Sequence, residues 1–295
     1  MRKILFFLLI SFSALSGENE GEYIFRMARC GDCHTDKKNN GKYLAGGREL
    51  KTPFGVFYST NISPDPETGI GSWSEQDFFN ALRKGISPKG MHYYPVFPYT
   101  SFSGLKDEDI KKMWSYLKKQ TPVNQADRKH DLPFLFSFRF PLTLWKYIFF
   151  TEGPFKEDPS RDSRWNRGAY LVRSVSHCAE CHSPRNFLGA LNESKFLSGN
   201  KEGAEIDSFS PNITPHKANG IGSWSESDLG SFLKTGMLPD GDFAGDLMAD
   251  VIDDSLKNMK DSDLSAMISY LNTLSPLEGI KKPQKKKKKS ADPWD

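Results

Sequence analysis

Cys30-Gly-Asp-Cys33-His34 and Cys178-Ala-Glu-Cys181-His182 are two copies of one pattern, C-x-x-C-H, and together they use every cysteine of the 295-residue chain. Two thiols spaced this way can reach one edge of a porphyrin and add across its vinyl groups. The histidine beside the second thiol is then carried under the iron, and C-x-x-C-H is the attachment pattern of c-type haem. A zinc site built from four thiolates would leave both histidines without a role and would need the distant pairs to converge. The reading is two covalently attached c-type haems. Cys30 and Cys33 hold one and Cys178 and Cys181 the other, with His34 and His182 as iron ligands.

The likeness between the halves extends beyond the cysteines. Asn61-Ile62-Ser63-Pro64 returns as Asn212-Ile213-Thr214-Pro215, Gly69-Ile70-Gly71-Ser72-Trp73-Ser74-Glu75 as Gly220-Ile221-Gly222-Ser223-Trp224-Ser225-Glu226, and Ser115-Tyr116-Leu117 as Ser269-Tyr270-Leu271. The offset grows along the chain, as two short insertions in the second copy would make it grow, so the sequence reads as a duplication. Each copy is predicted to be mostly helical. A helix precedes the cysteines, with Gly21 or Gly168 placed to admit a second helix at close range. Ser74 and Ser225 head helices with early acids, in the manner of N-caps. The final helices begin near Asp107 and Asp261 and carry apolar residues at helical spacing, such as Ile110, Met113, Trp114 and Leu117. The stretches between are rich in Gly, Pro and Asn and read as loops.

Met1-Arg2-Lys3, an apolar run to Leu15 and small residues at Ser13, Ala14, Ser16 and Gly17 have the form of a secretory signal peptide over 1–16. Export agrees with the haem pattern and predicts a periplasmic protein. Net charge is +3, but Lys285–Lys289 and two further lysines lie in the last fifteen residues, so the body is slightly acidic. The tail reads as a solvated extension, and no stacking aromatics are interleaved with its lysines, which argues against nucleic acid. The stretch 133–155 is dense in Phe, Leu, Trp and Tyr but broken by Pro133, Pro141 and Pro154, which argues against a membrane-spanning helix. It is expected to pack between the halves and fix their separation, the alternative being an exposed aromatic surface. Peripheral membrane contact is expected, if anywhere, through this stretch or the lysine tail.

A haem iron with one histidine has one axial position left, and methionine there raises the potential and suits electron transfer. In the second copy Met248, in a loop between the tryptophan segment and the final helix, is the candidate, ahead of Met237, Met259 and Met267. In the first copy the matching residue is Phe97 in one register and Tyr94 in another. Met91 is the candidate there, with His92 or an open position as alternatives. Trp73, Trp224 and Arg185 are candidate propionate partners, and His130, His177 and His216 read as surface or local hydrogen-bonding residues.

Thr52-Pro53-Phe54-Gly55, Ser59-Thr60-Asn61-Ile62, Tyr94-Pro95-Val96-Phe97-Pro98-Tyr99-Thr100-Ser101, Trp165-Asn166-Arg167-Gly168-Ala169-Tyr170-Leu171 and Cys181-His182-Ser183-Pro184-Arg185-Asn186 carry a resemblance to secreted dihaem c-type cytochromes. The chain is similar to the cytochrome c subunits of membrane-bound alcohol, gluconate and related dehydrogenases. The resemblance implies two tandem class-I-like cytochrome c domains, 17–121 and 164–277, each wrapped around one haem, with a linker at 122–163 and a basic tail at 278–295. It supports Met248, and in relatives a methionine often stands where this chain has Phe97 or Leu105. It implies a carrier of single electrons rather than an enzyme, drawing on a dehydrogenase subunit and delivering to a small cytochrome or terminal oxidase. A dihaem peroxidase with an open first haem is the alternative.

Overall fold

The expectation that Gly21 and Gly168 admit a neighbouring helix is met in the computed structural model, which describes residues 20–201, 205 and 208–280. The first half runs α1 (20–27), α2 (Cys30–Cys33), the antiparallel hairpin β1 (Glu49–Thr52) and β2 (Gly55–Tyr58), α3 (Glu75–Lys84), α4 (Tyr99–Phe102) and α5 (Asp107–Leu117). The connecting stretch contributes α6 (Phe134–Ser137) and α7 (Pro141–Phe149). The second half runs α8 (Ser163–Tyr170) with a π-helical continuation over Leu171–Val175, then α9 (Ala179–His182), α10 (Glu226–Thr235), α11 (Asp246–Asp254) and α12 (Asp261–Asn272). The expected signal peptide at 1–16 and the lysine run of the tail lie outside the described residues. Among the described residues no helix is long and apolar enough to cross a membrane.

A Cβ on Gly21 would stand 2.4 Å from the Lys112 carbonyl oxygen, and one on Gly168 would stand 2.0 Å from that of Ala266. α1 therefore meets α5, and α8 meets α12, backbone against backbone, an approach closed to any residue with a side chain. The helices α3 and α10 start alike. Ser74 accepts from the Asp77 amide while Asp77 accepts from that of Ser74, and Ser225 and Asp228 repeat the arrangement. This reciprocal cap satisfies two amide donors that the first turn leaves without helical partners. Both helices end at a left-handed glycine, Gly85 and Gly236. The core includes Ile24, Phe25, Ile110, Met113 and Leu117 in the first half and Leu171, Val172, Met267 and Leu271 in the second.

The halves pack directly against each other, and the contact is reciprocal. Tyr23 donates its hydroxyl to Asp263 (2.6 Å) and Tyr170 donates its own to Asp109 (2.5 Å). Each tyrosine sits on the helix before a cysteine motif and each aspartate in the first turn of a final helix, so residue i of one half meets j of the other and j meets i. That is the signature of an approximate two-fold axis between duplicated units. Arg167 holds Asp263 through Nε (2.9 Å) and Nη2 (2.7 Å), and the Lys106 amide donates to the Tyr170 hydroxyl. Burial, reinforced by the facing aspartates, pushes both tyrosine hydroxyls well above their ordinary pKa, so each remains a donor.

The connecting stretch does not separate the halves, contrary to the expectation that it packs between them. It lies along one edge. Tyr94 donates to the Phe136 carbonyl (2.8 Å), Arg139 to that of His92 (2.7 Å), and Trp145 Nε1 to that of Leu188 in the second half (2.9 Å). Lys146 is buried, donates to the Lys84 and Gly85 carbonyls at the end of α3 (2.7 Å each), and lies 4.6 Å from the centre of the Tyr99 ring. A cation at a helix C-terminus is favourable, but burial opposes its charge and lowers its pKa to about 8. The outer face is left open, with Phe134 81%, Phe140 88% and Tyr147 88% exposed.

Removing one hydroxyl of the crossed pairs leaves a buried carboxylate short of a donor. Tyr170→Phe is expected to cost about 1–3 kcal/mol, read as a lower urea midpoint with an unchanged m-value.

Candidate haem sites

Each cysteine motif forms a single helical turn, α2 in the first half and the turn running into α9 in the second. The chain enters both in the same unusual way: Arg29 (φ 58°) and His177 (φ 41°), each the residue immediately before the first cysteine, take left-handed backbone conformations. All four cysteines are free of disulfides. One helical turn puts positions i and i+3 on the same side, so both thiols of a pair can face one partner. Burial pushes the Cys30, Cys178 and Cys181 thiols up in pKa.

The two histidines are held identically. His34 Nδ1 lies 2.7 Å from the Thr60 carbonyl oxygen and His182 Nδ1 lies 2.8 Å from that of Pro211. A ring whose Nδ1–H is given to a carbonyl presents Nε2 as its free lone pair, the tautomer a metal takes. Burial lowers both pKa values, partly offset by those carbonyls, and keeps the rings neutral. The carbonyls are positioned in turn by the next residue. Asn61 donates to the Val123 carbonyl (2.7 Å) and accepts from the Ser63 amide (2.9 Å), while Asn212 donates to that of Leu277 (2.7 Å) and accepts from Thr214 (2.8 Å). This duty of the asparagines was not foreseen, although their recurrence in both copies was the available signal.

A largely apolar cavity of about 1610 Å3 opens between the two halves, with Cys178, Cys181, His182, Trp224, Met248 and Met267 of the second half and Arg29 and Cys33 of the first in its wall. These residues fit a covalently attached haem: two thiols on one turn, a neutral imidazole with a free lone pair, and apolar walls. Met248 lies in the first turn of α11 rather than in the expected loop. Met267 is fully buried on α12, as Met113 is on α5, and both serve the core. Met259 is also buried, and Met237 is 44% exposed.

Backbone hydrogen bonds carry the offset seen at the two tryptophans through the hairpin that follows. Ile86 pairs with His92 and Met237 with Phe243, followed by Tyr93 N–H to the Gly85 carbonyl and Ala244 N–H to that of Gly236. Counting four residues on from Tyr93 and from Ala244 brings Phe97 to the place of Met248. Phe97 packs on Phe102 with ring centroids 5.9 Å apart. Met91 falls on the turn of the preceding hairpin, in the place of Asp242, and is 50% exposed. Trp73 is partly buried against the core. Arg185 is committed to Glu180 and to the Gly189 carbonyl. Glu180, inside the second motif, is buried and also accepts from Ser101 of the first half (2.6 Å). Burial opposes its charge, but Arg185, Ser101 and His177 together hold its pKa below the ordinary value. His216 accepts locally from the Asn219 amide as expected, whereas His130 accepts from the Tyr58 amide, distant in the chain. His177 is no surface residue, being 7% exposed and edge-on to Phe102 of the other half, but it meets the local hydrogen-bonding expectation, with Nδ1 3.1 Å from the Val175 carbonyl oxygen.

A cytochrome c family profile matches residues 19–121. The chain is 39% identical to a dihaem c-type cytochrome of Cereibacter sphaeroides, over 90% of this chain and 89% of that protein. It is 42% identical to the fructose dehydrogenase cytochrome subunit of Gluconobacter japonicus, over 87% of this chain and 52% of that one. It is 37% identical to the gluconate 2-dehydrogenase cytochrome c subunit of Pantoea cypripedii, over 93% and 65%. The chain thus spans about half to two thirds of these two dehydrogenase subunits. It belongs to the dihaem c-type cytochromes.

Asn212→Ala should lower stability by about 1–3 kcal/mol, because it leaves the amide of buried Thr214 without its acceptor. The loss is read by urea denaturation of the haem-loaded protein, and Asn61→Ala should match it.

Proposed function

We propose that the chain is an electron-transfer subunit with two c-type haems, one in each of two tandem cytochrome c domains at 17–121 and 164–277, acting in the periplasm. The observation that carries the reading is the pair of equivalent histidines, each neutral, each held at Nδ1 by a carbonyl, and each beside two cysteines on one turn. When bound, the haems supply a one-electron ferric–ferrous couple whose potential follows the axial ligands and burial. The protein's part is to tether, orient and dry that couple. Cys30 and Cys33, and Cys178 and Cys181, fix the attachment edges. His34 and His182 supply the proximal nitrogens, held in place by the Thr60 and Pro211 carbonyls.

The sites differ on the other side. Met248 gives the second site a thioether sulfur. Phe97, at the same place in the first, has no lone pair to offer, and for Met91 to ligate the iron its exposed hairpin would have to open. We therefore read the first site as having His34 as its one protein ligand. The donor is proposed to be a catalytic dehydrogenase subunit, as the names of the relatives suggest, and the acceptor a small cytochrome or terminal oxidase. The open aromatic face of residues 134–147 is the proposed docking surface for the donor.

Coulometric titration should count two electrons per chain, with no turnover of hydrogen peroxide; sustained peroxide consumption would contradict the carrier reading. Near-infrared magnetic circular dichroism of the oxidised protein should show methionine-to-iron charge transfer from a single site. Met248→Leu should abolish it and Met91→Leu should leave it unchanged.

A further inference from the structure

Arg29 and His177 hold equivalent positions in the two halves, share a left-handed backbone, and line one cavity together with Cys33, Cys178 and Cys181. A non-glycine residue with positive φ is strained and persists where its surroundings require it; here the strain occurs twice, at matching places. The two turns face the same space: Arg29 and Cys33 enter its wall from one half, and His177, Cys178 and Cys181 from the other. The Arg29 side chain is 12% exposed, with Nε 3.0 Å from Asp32.

The other charges around this junction are paired. Glu180 is held by Arg185 and Ser101, Arg48 by Glu205, and Lys37 by Asp254. His177, opposite Arg29, is kept neutral by burial first and by the arginine second. Arg29, itself paired with Asp32, is the most buried of these cations and lies between both attachment turns, where low dielectric strengthens its field.

We propose that Arg29 is a positioning residue shared by the two haem centres, its permanent charge favouring the reduced state of both and so raising both midpoint potentials. The inference rests on the dihaem reading given above. Reduction adds one electron to each centre, and a fixed positive charge stabilises that added electron. The carboxylate of Asp32 acts with the opposite sign.

The test is a spectroelectrochemical titration at pH 8 of the haem-loaded protein and three variants, each first assayed for covalent haem. In Arg29→Gln both potentials should fall, with the reduction equilibrium constant of at least one centre dropping about tenfold, which is about 59 mV for a one-electron couple. Arg29→Lys should stay near the parent. Asp32→Asn should move the potentials upward, which water entry or loosening of the turn would not do. If Arg29→Gln does not fold, Asp32→Asn decides alone. Two haems retained with an unmoved or lowered potential in Asp32→Asn would overturn the role of Arg29 and leave the dihaem reading intact. A parent protein lacking two haems would overturn that reading itself.

Discussion

The crossed hydrogen bonds Tyr23–Asp263 and Tyr170–Asp109 are the constraint on which the arrangement of the sites depends. Each joins the helix leading into one cysteine motif to the final helix of the other half. A duplicated chain can place its copies side by side in many ways, but a reciprocal pair of buried, directional bonds admits few of them. With those helices fixed, the motifs that follow them have no freedom to drift apart. Ser101 then meets Glu180 inside the second motif, and Phe102 meets His177 at its threshold.

Symmetry at the interface coexists with asymmetry in the sites. The proximal side is duplicated down to the carbonyl that receives each histidine. On the proposed reading the distal side is not, because Phe97 would stand where Met248 offers its sulfur. Axial ligation is a strong control over potential, so a chain that keeps one half of this coordination and changes the other separates the potentials of its two centres without altering the scaffold. The cation of Arg29, placed between the turns, acts on both at once and shifts them together.

Much of this was legible in the sequence because it is local. Cysteine spacing, the Ser–Asp caps of α3 and α10, and the two glycines at helix crossings each follow from a few neighbouring residues. What escaped is relational. The Tyr–Asp pairs join residues far apart in the chain and become meaningful only once the halves are seen to face each other across a two-fold axis. The register of Phe97 against Met248 was ambiguous because an insertion lies between the aligned blocks, and hairpin hydrogen bonds fix the correspondence only as far as Tyr93 and Ala244. Arg29 and His177 share a place but not a residue type, so the repeat did not mark them. The connecting stretch reads as a spacer from its position in the chain, yet it lies along an edge, because Lys146 finds the carbonyl end of α3 and Trp145 finds Leu188.

The central claim is that this one polypeptide carries two porphyrins through its own cysteines. Intact mass spectrometry of denatured protein, produced with a functioning haem-attachment apparatus, tests it most directly. The account predicts a mass greater than that of the polypeptide by two haems, with one haem on the peptide containing Cys30 and Cys33 and the other on the peptide containing Cys178 and Cys181. A chain carrying one haem or none under those conditions would contradict it.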